Sequence, residues 1–227
     1  MLLCAISVPS ECHGRRWRFF KDDNLLVRRG ESDCQLTDRE MQAMLSSANR
    51  VICDMSGMGN NCGFYAILSQ TKAENFGGEA LSPSGHAHGD ANAYVKALRQ
   101  KTGTPVGEMF DAINIQKIAD YYRRPVVIIS YDSGQIEFVF PYGDVYAVLT
   151  RLNFKENFGK WLEEYLAMRS DELPKILDAL QRFATDIDVR GGTVYDVLIG
   201  LLRNQKTIGM LHENGNHFLA LQPDDTK

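Results

Sequence analysis

Apolar and polar positions repeat along this chain with two periods, near 3.6 and near 2, and the switches between them outline an α+β fold. Thr37-Asp-Arg-Glu40 reads as a capping box, in which the Thr hydroxyl and the Glu carboxylate satisfy free backbone donors. Met41, Met44, Leu45 and Ala48 follow at helical spacing and predict a helix over 38–49. Arg50 to Asp54 predicts a short strand, and Met55 to Asn61 is a loop rich in turn formers. Cys62 opens a helix marked by Phe64, Tyr65, Ile67 and Leu68. A Gly/Pro-rich loop covers 77–89, and helices follow near 91–101 (Tyr94, Val95, Leu98) and 108–122. After Pro125, the continuous β-branched run Val126 to Tyr131 predicts a central strand buried on both faces. Asp132-Ser-Gly134 is a turn, and Gln135 to Phe140 returns as a second strand.

Residues 153–204 predict three helices, the first marked by Phe158, Trp161, Leu162 and Tyr165. Ile176, Leu177, Leu180 and Phe183 mark the second. Val194, Val197, Leu198 and Leu201 mark the third, behind a cap at Thr193. The chain closes with a strand over 207–211, a turn from His212 to Asn216, and a strand over 217–222. Asn214-Gly215 between apolar runs is a strong hairpin signal. Residues 1–35 carry no readable period. The expected architecture is one domain over 1–227, with a small central sheet flanked by helices and the Cys62 helix facing the final hairpin. Helices 153–204 separate the second strand from that hairpin. They read either as an insertion forming a lobe beside the cleft or as the completion of the core.

Composition narrows the partners. The formal charge is −4 with no long basic run, which argues against nucleic-acid binding. Cys4, Cys12, Cys34, Cys53 and Cys62 are odd in number and irregularly spaced, without a C-x-x-C pair. A zinc knuckle or a disulfide framework is therefore not expected, and reduced thiols in a cytosol-like compartment are. No apolar run reaches membrane-spanning length. Met1 to Val8 is apolar, but its basic cluster (Arg15, Arg16, Arg18) follows it, the wrong order for a signal peptide, so a soluble protein is expected.

The chemistry converges on Cys62. A Gly/Asn-rich loop precedes it, so the backbone N–H groups of Gly59, Asn60 and Asn61 can turn toward one point and form an oxyanion site. A helix N-terminus beside the sulfur favours the thiolate. A thiolate nucleophile needs a base, and His217 stands at the start of the last strand, a rigid place to hold an imidazole. In that strand His217, Leu219 and Leu221 share one face, with Phe218 and Ala220 opposite. Asp54, ending the strand that feeds the loop, is the first candidate to orient the imidazole. Asn216, Asp224 and Asp33 are alternatives, and a dyad without a third residue is another. His86 and His88, with Asp90 nearby, lack an obvious further ligand, so neither a metal nor a cofactor is expected. His212 reads as a solvated turn residue, and His13 lies in the unreadable start.

Gly59-Asn-Asn-Cys62-Gly-Phe-Tyr-Ala-Ile67 resembles the cysteine signature of the ovarian-tumour (OTU) family of papain-like deubiquitinases. Ile115 to Ile129 resembles the family's helix-then-strand block, and Asn216-His217-Phe218 its final His-aromatic pair. The order, cysteine early and histidine late, agrees as well. Two positions depart from the pattern: Leu219 stands where the family places Asp or Asn two residues after the histidine, and Gly59 where it often has Asp before the cysteine. The resemblance implies a papain-like OTU fold and thiol-dependent hydrolysis of isopeptide bonds after the C-terminal glycine of ubiquitin. It implies ubiquitin or polyubiquitin as partner. The helices over 153–204 resemble additions in bacterial effector members, which implies virulence-linked action in a host cytosol. In that reading Trp161-Leu-Glu-Glu-Tyr-Leu166, with Asp171, Glu172, Asp186 and Asp188 nearby, is a candidate ubiquitin-gripping face. The competing expectations are another papain-like activity (acyl transfer, deamidation, cleavage of a ubiquitin-like modifier) and a non-enzymatic ubiquitin-binding module.

Overall fold

The computed structural model describes residues 38–55, 58–71, 91–110, 112–131, 135–141, 146–149, 157–167, 173–183, 191–213 and 217–224. Thr37 of the capping box, the 77–89 loop and the Asn214-Gly215 turn lie outside these residues. So do His13, His86, His88, Asp90, Asp33, Asn216, Cys4, Cys12 and Cys34, the acids Asp171, Glu172, Asp186 and Asp188, and the side chain of Glu164.

In chain order the elements are α1 (Asp38–Ser47), β1 (Arg50–Cys53), a 3-10 turn (Met58–Asn60), α2 (Cys62–Thr71), α3 (Ala91–Thr102) and α4 (Ala112–Tyr122). Then come β2 (Val126–Ser130), β3 (Gln135–Val139), β4 (Tyr146–Leu149), α5 (Phe158–Leu166), α6 (Leu173–Phe183), α7 (Val194–Arg203), β5 (Ile208–Glu213) and β6 (His217–Pro223). The strands form one six-stranded sheet in the order β1-β6-β5-β2-β3-β4. Only β2 and β5 are parallel among its pairs, so the sheet is mixed and the arrangement is α+β.

Alternation along the strands sorts the core into two layers. Val127, Ile129, Ile136, Phe138, Leu211, Leu219 and Leu221 face α1 and α5–α7, where Met41, Met44, Leu45, Phe158, Leu162, Ile176, Leu180, Val197, Leu198 and Leu201 are buried. Val126, Ile128, Met210, Phe218 and Ala220 face α2–α4, meeting Phe64, Ile67, Leu98, Ile115 and Ile118. This is the two-faced burial that the Val126–Ser130 run predicts, since a strand covered on both sides cannot alternate with polar residues. A parallel partner needs a crossover, and the chain returns from edge strand β4 to central β5 through α5–α7. Their apolar stripes cover that face of the sheet, while Glu163 stays exposed.

Three boundaries differ from expectation. The helix expected from 108 begins at Ala112, because Gly103 (φ 70°) and Gly107 (φ 84°) hold the preceding segment in a left-handed, looped path. β4 forms although only Tyr146 to Leu149 supply it, as an edge strand on β3. β5 runs through His212 and Glu213, which read locally as turn residues. His212 pairs with both Ser130 and Phe218, and ladder bonds on two sides outweigh local polarity.

Two buried arginines fasten the α7–β5 connection. Arg50 donates from Nε to the Leu202 carbonyl (2.6 Å), from Nη1 to Leu221 O (2.8 Å), and from Nη2 to Asn204 O (2.8 Å) and Thr207 O (3.1 Å). Arg124 donates to the carbonyls of Gln205, Lys206 and Gln70. Together they satisfy carbonyls that a helix C-terminus leaves free. Burial, with repulsion from Arg124 added, lowers Arg50 to about 10, so it stays charged at neutral pH. Arg50→Met is expected to strand these carbonyls and lower stability by about 3 kcal/mol. In a chain of this size that is a fall in Tm of about 6–12 °C by thermal melting; an unchanged Tm would refute the clamp.

Candidate active site

Cys62 is the first residue of α2, and the Tyr65 N–H donates to the Asn61 carbonyl (2.9 Å) at its start. The first N–H groups of a helix have no intrahelical partner, so they present partial positive charge beside the sulfur. Cys62 is only 4% exposed. The Phe218 N–H donates to Cys62 Sγ at 3.5 Å, which sets the start of β6 against the sulfur. Phe218 and Phe110 pack edge to face (5.7 Å between centroids) and close over Gly63. A Cβ on Gly63 would stand 3.2 Å from Phe110 and 3.3 Å from Phe218, so only glycine lets both rings approach the cysteine. The resulting shallow cleft is lined by Asn60, Cys62, Met109, Phe110 and Phe218.

His217 is the first residue of β6, and its Nε2 lies 3.0 Å from Asp54 Oδ1. An ionised carboxylate only accepts, so Nε2 carries the proton and Nδ1 is left as the basic nitrogen. The register explains how Asp54 arrives there. Cys53 pairs with Ala220, so the next residue, Asp54, comes opposite Leu219 on the face that His217 shares. The carboxylate that Leu219 cannot supply thus comes from the neighbouring strand. The structure joins His217 to Asp54 and sets Cys62 against the backbone of Phe218, the residue after His217. Asp224 does not join them: its N–H bonds to the Asn49 carbonyl (2.8 Å) beyond the far end of β6, about 20 Å along the strand from His217. Asp54→Ala is expected to reduce kcat by about 10–100-fold, less than loss of the nucleophile, because an orienting group is partly dispensable. Unchanged steady-state kinetics would show that the pair does not serve the reaction.

The loop before Cys62 has a left-handed turn, Gly59 (φ 66°) followed by Asn60 (φ 57°). Such a backbone costs Asn on the order of 1 kcal/mol, so the surroundings must hold it. Arg99, 3% exposed, does so. Its Nη2 donates to the carbonyls of Gly59 (3.3 Å) and Asn60 (3.0 Å), and Nε and Nη2 donate to Asn61 Oδ1 (3.0 and 2.8 Å). Nη1 reaches across to the carbonyls of Pro105 (2.5 Å) and Glu108 (3.1 Å), and the guanidinium lies 4.4 Å over the Phe64 ring. Asn60 Nδ2 adds a bond to the Gly107 carbonyl (2.6 Å). Burial lowers the Arg99 pKa, opposed by the attraction of Glu108.

Comparison with protein-family models, with curated proteins and with solved structures finds no match to this chain. The site therefore rests on its own geometry.

Sequence reasoning passed over Arg99. The signal was available: it follows Val95 and Leu98 and precedes Thr102 on the buried stripe of α3, where a charge demands a partner. The reading of His212 as a solvated turn residue is corrected. It lies on β5, half-buried, stacked on Phe218 at 4.5 Å because the strand pairing sets the two rings side by side. Among the described residues no group of His, Cys, Asp and Glu is placed to hold a metal ion, and no helix is long and apolar enough to cross a membrane.

Proposed function

We propose that the chain is a cysteine-type deubiquitinase of papain-like, OTU-like design. The reading is supported by Cys62 at a helix N-terminus, bonded by the Phe218 N–H, and by the His217–Asp54 pair one residue earlier at the start of the same strand. In this mechanism His217 Nδ1 takes the thiol proton and the sulfur attacks the carbonyl carbon of ubiquitin's C-terminal glycine. The S–C bond forms as the carbonyl π pair moves to oxygen, which the N–H groups of the Gly59–Asn61 loop receive. Collapse breaks the C–N bond, and His217 returns its proton to the departing lysine amine. Water, activated by His217, then hydrolyses the thioester.

The ubiquitin assignment draws on the likeness at Gly59 to Ile67 and on the cleft. Phe110 and Phe218 stand close over Gly63 beside Cys62, so side chains next to the scissile bond would meet both rings, whereas a Gly-Gly tail carries none. A ubiquitin bearing a C-terminal electrophile tests it. The expected result is one covalent adduct at Cys62 by mass spectrometry, absent in Cys62→Ala. A protein that reacts with a small thiol reagent but not with this probe would have another acyl donor, and the deubiquitinase reading would fall.

A further inference from the structure

Among the described residues three large apolar side chains are exposed, and two of them, Val106 (87%) and Met109 (43%), stand three positions apart between α3 and α4. A single exposed apolar residue is ordinary on a protein surface. This pair differs in two respects. Met109 also lines the cleft beside Cys62, so the apolar rim is continuous with the candidate active site. The segment that carries the pair is also held in one shape. The Pro105 and Glu108 carbonyls accept from Arg99 Nη1, the Gly107 carbonyl accepts from Asn60 Nδ2, and the Glu108 N–H closes a turn on the Pro105 carbonyl (3.2 Å). A surface fixed in advance loses little freedom on binding, which favours a partner of constant shape. The helices over 153–204 offer no such surface at the cleft. α5–α7 cover the opposite face of the sheet from Cys62, and Trp161 of the expected gripping face packs on Phe158 (5.8 Å between ring centroids).

We propose that Val106 and Met109 form the docking surface for the folded body of the acyl donor, which lays an apolar patch on them while its C-terminal tail runs past Met109 to Cys62. The inference rests on the deubiquitinase reading, in which the donor is always ubiquitin and the departing amine belongs to varied proteins. A pre-shaped apolar rim suits the constant partner. The donor also stays on the enzyme through acylation and hydrolysis, whereas the amine leaves after the first step.

Val106 is the residue to change, because it lies outside the cleft lining and its exposure leaves the fold little to lose. The full chain is followed in adduct formation at Cys62 with ubiquitin propargylamide below saturation, in cleavage of a ubiquitin conjugate, and in alkylation of Cys62 by iodoacetamide. In Val106→Lys the adduct rate constant is expected to fall on the order of tenfold, as for a lost interface anchor. Conjugate cleavage should fall alike through a higher KM with little change in kcat, while alkylation and Tm stay near wild type. Should alkylation also slow, the loop has been displaced, and Val106→Ser, which removes apolar area without adding charge, decides by the same comparison. A loss confined to conjugate cleavage would overturn the proposal, since it would put the amine-bearing protein on this surface. An unchanged adduct rate in the variant, beside a reactive wild type, would overturn this inference alone. A wild-type chain that iodoacetamide alkylates but the ubiquitin probe leaves untouched would refute the deubiquitinase reading and this inference with it.

Discussion

Cys62→Ala is expected to lower turnover of a ubiquitin conjugate to background, a loss on the order of 10⁵-fold, while folding and substrate capture persist. Among the described residues lining the cleft, Cys62 alone carries a nucleophilic side chain. The Phe218 N–H and the α2 N-terminus are donors, and Asp54 faces His217 instead of the cleft. Removing one buried sulfur from a 4%-exposed site costs about 1 kcal/mol of stability. The variant should therefore melt within a few degrees of wild type and pull down ubiquitin chains that it cannot cut. Cys53→Ala is the control, because Cys53 lies buried within β1, paired with Ala220, and should leave the rate nearly unchanged. Full activity in Cys62→Ala, measured on the same conjugate, would displace the nucleophile and the mechanism with it.

His217→Ala carries the second-largest expected loss, about 10³-fold in kcat, the range in which a positioned general acid–base acts. In the proposed mechanism two steps depend on its Nδ1: removal of the thiol proton and protonation of the leaving amine. The loss should be smaller with a thioester or activated ester, whose leaving group needs no proton. Raising the pH should restore part of the acylation rate, since hydroxide can then take the thiol proton. A histidine that only fills space would show neither the leaving-group dependence nor the alkaline recovery. Because His217 is 27% exposed and bonded to one carboxylate, its removal should barely move the Tm.

The places of Cys62 at a helix start and of His217 at a strand start were legible because their signals are local. A turn-rich loop running into a helix and an Asn-Gly turn running into a strand each mark a chain direction within a few residues. The partner of His217 was less so, and only the β1–β6 register shows Asp54 reaching it from across the ladder. β5 was read two residues short because His212 and Glu213 are polar. Their strand state comes from β2 and β6, which no window along the chain contains.

The amphipathic stripes, the doubly buried Val126–Ser130 strand, the closing hairpin and the Cys62 loop are properties of the sequence by itself. Each depends on residues within one or two turns or one strand of one another. Only the tertiary structure decided the helical cover on each face, the partner of His217, and the roles of Arg50, Arg99 and Arg124. The physical reason lies in what these side chains bind. Asp54 and His217 are separated by 163 positions, and Arg50 reaches a carbonyl 152 positions away. The guanidiniums grip mainly backbone oxygens, which every residue type carries alike, so no pattern of side chains along the chain announces where they go.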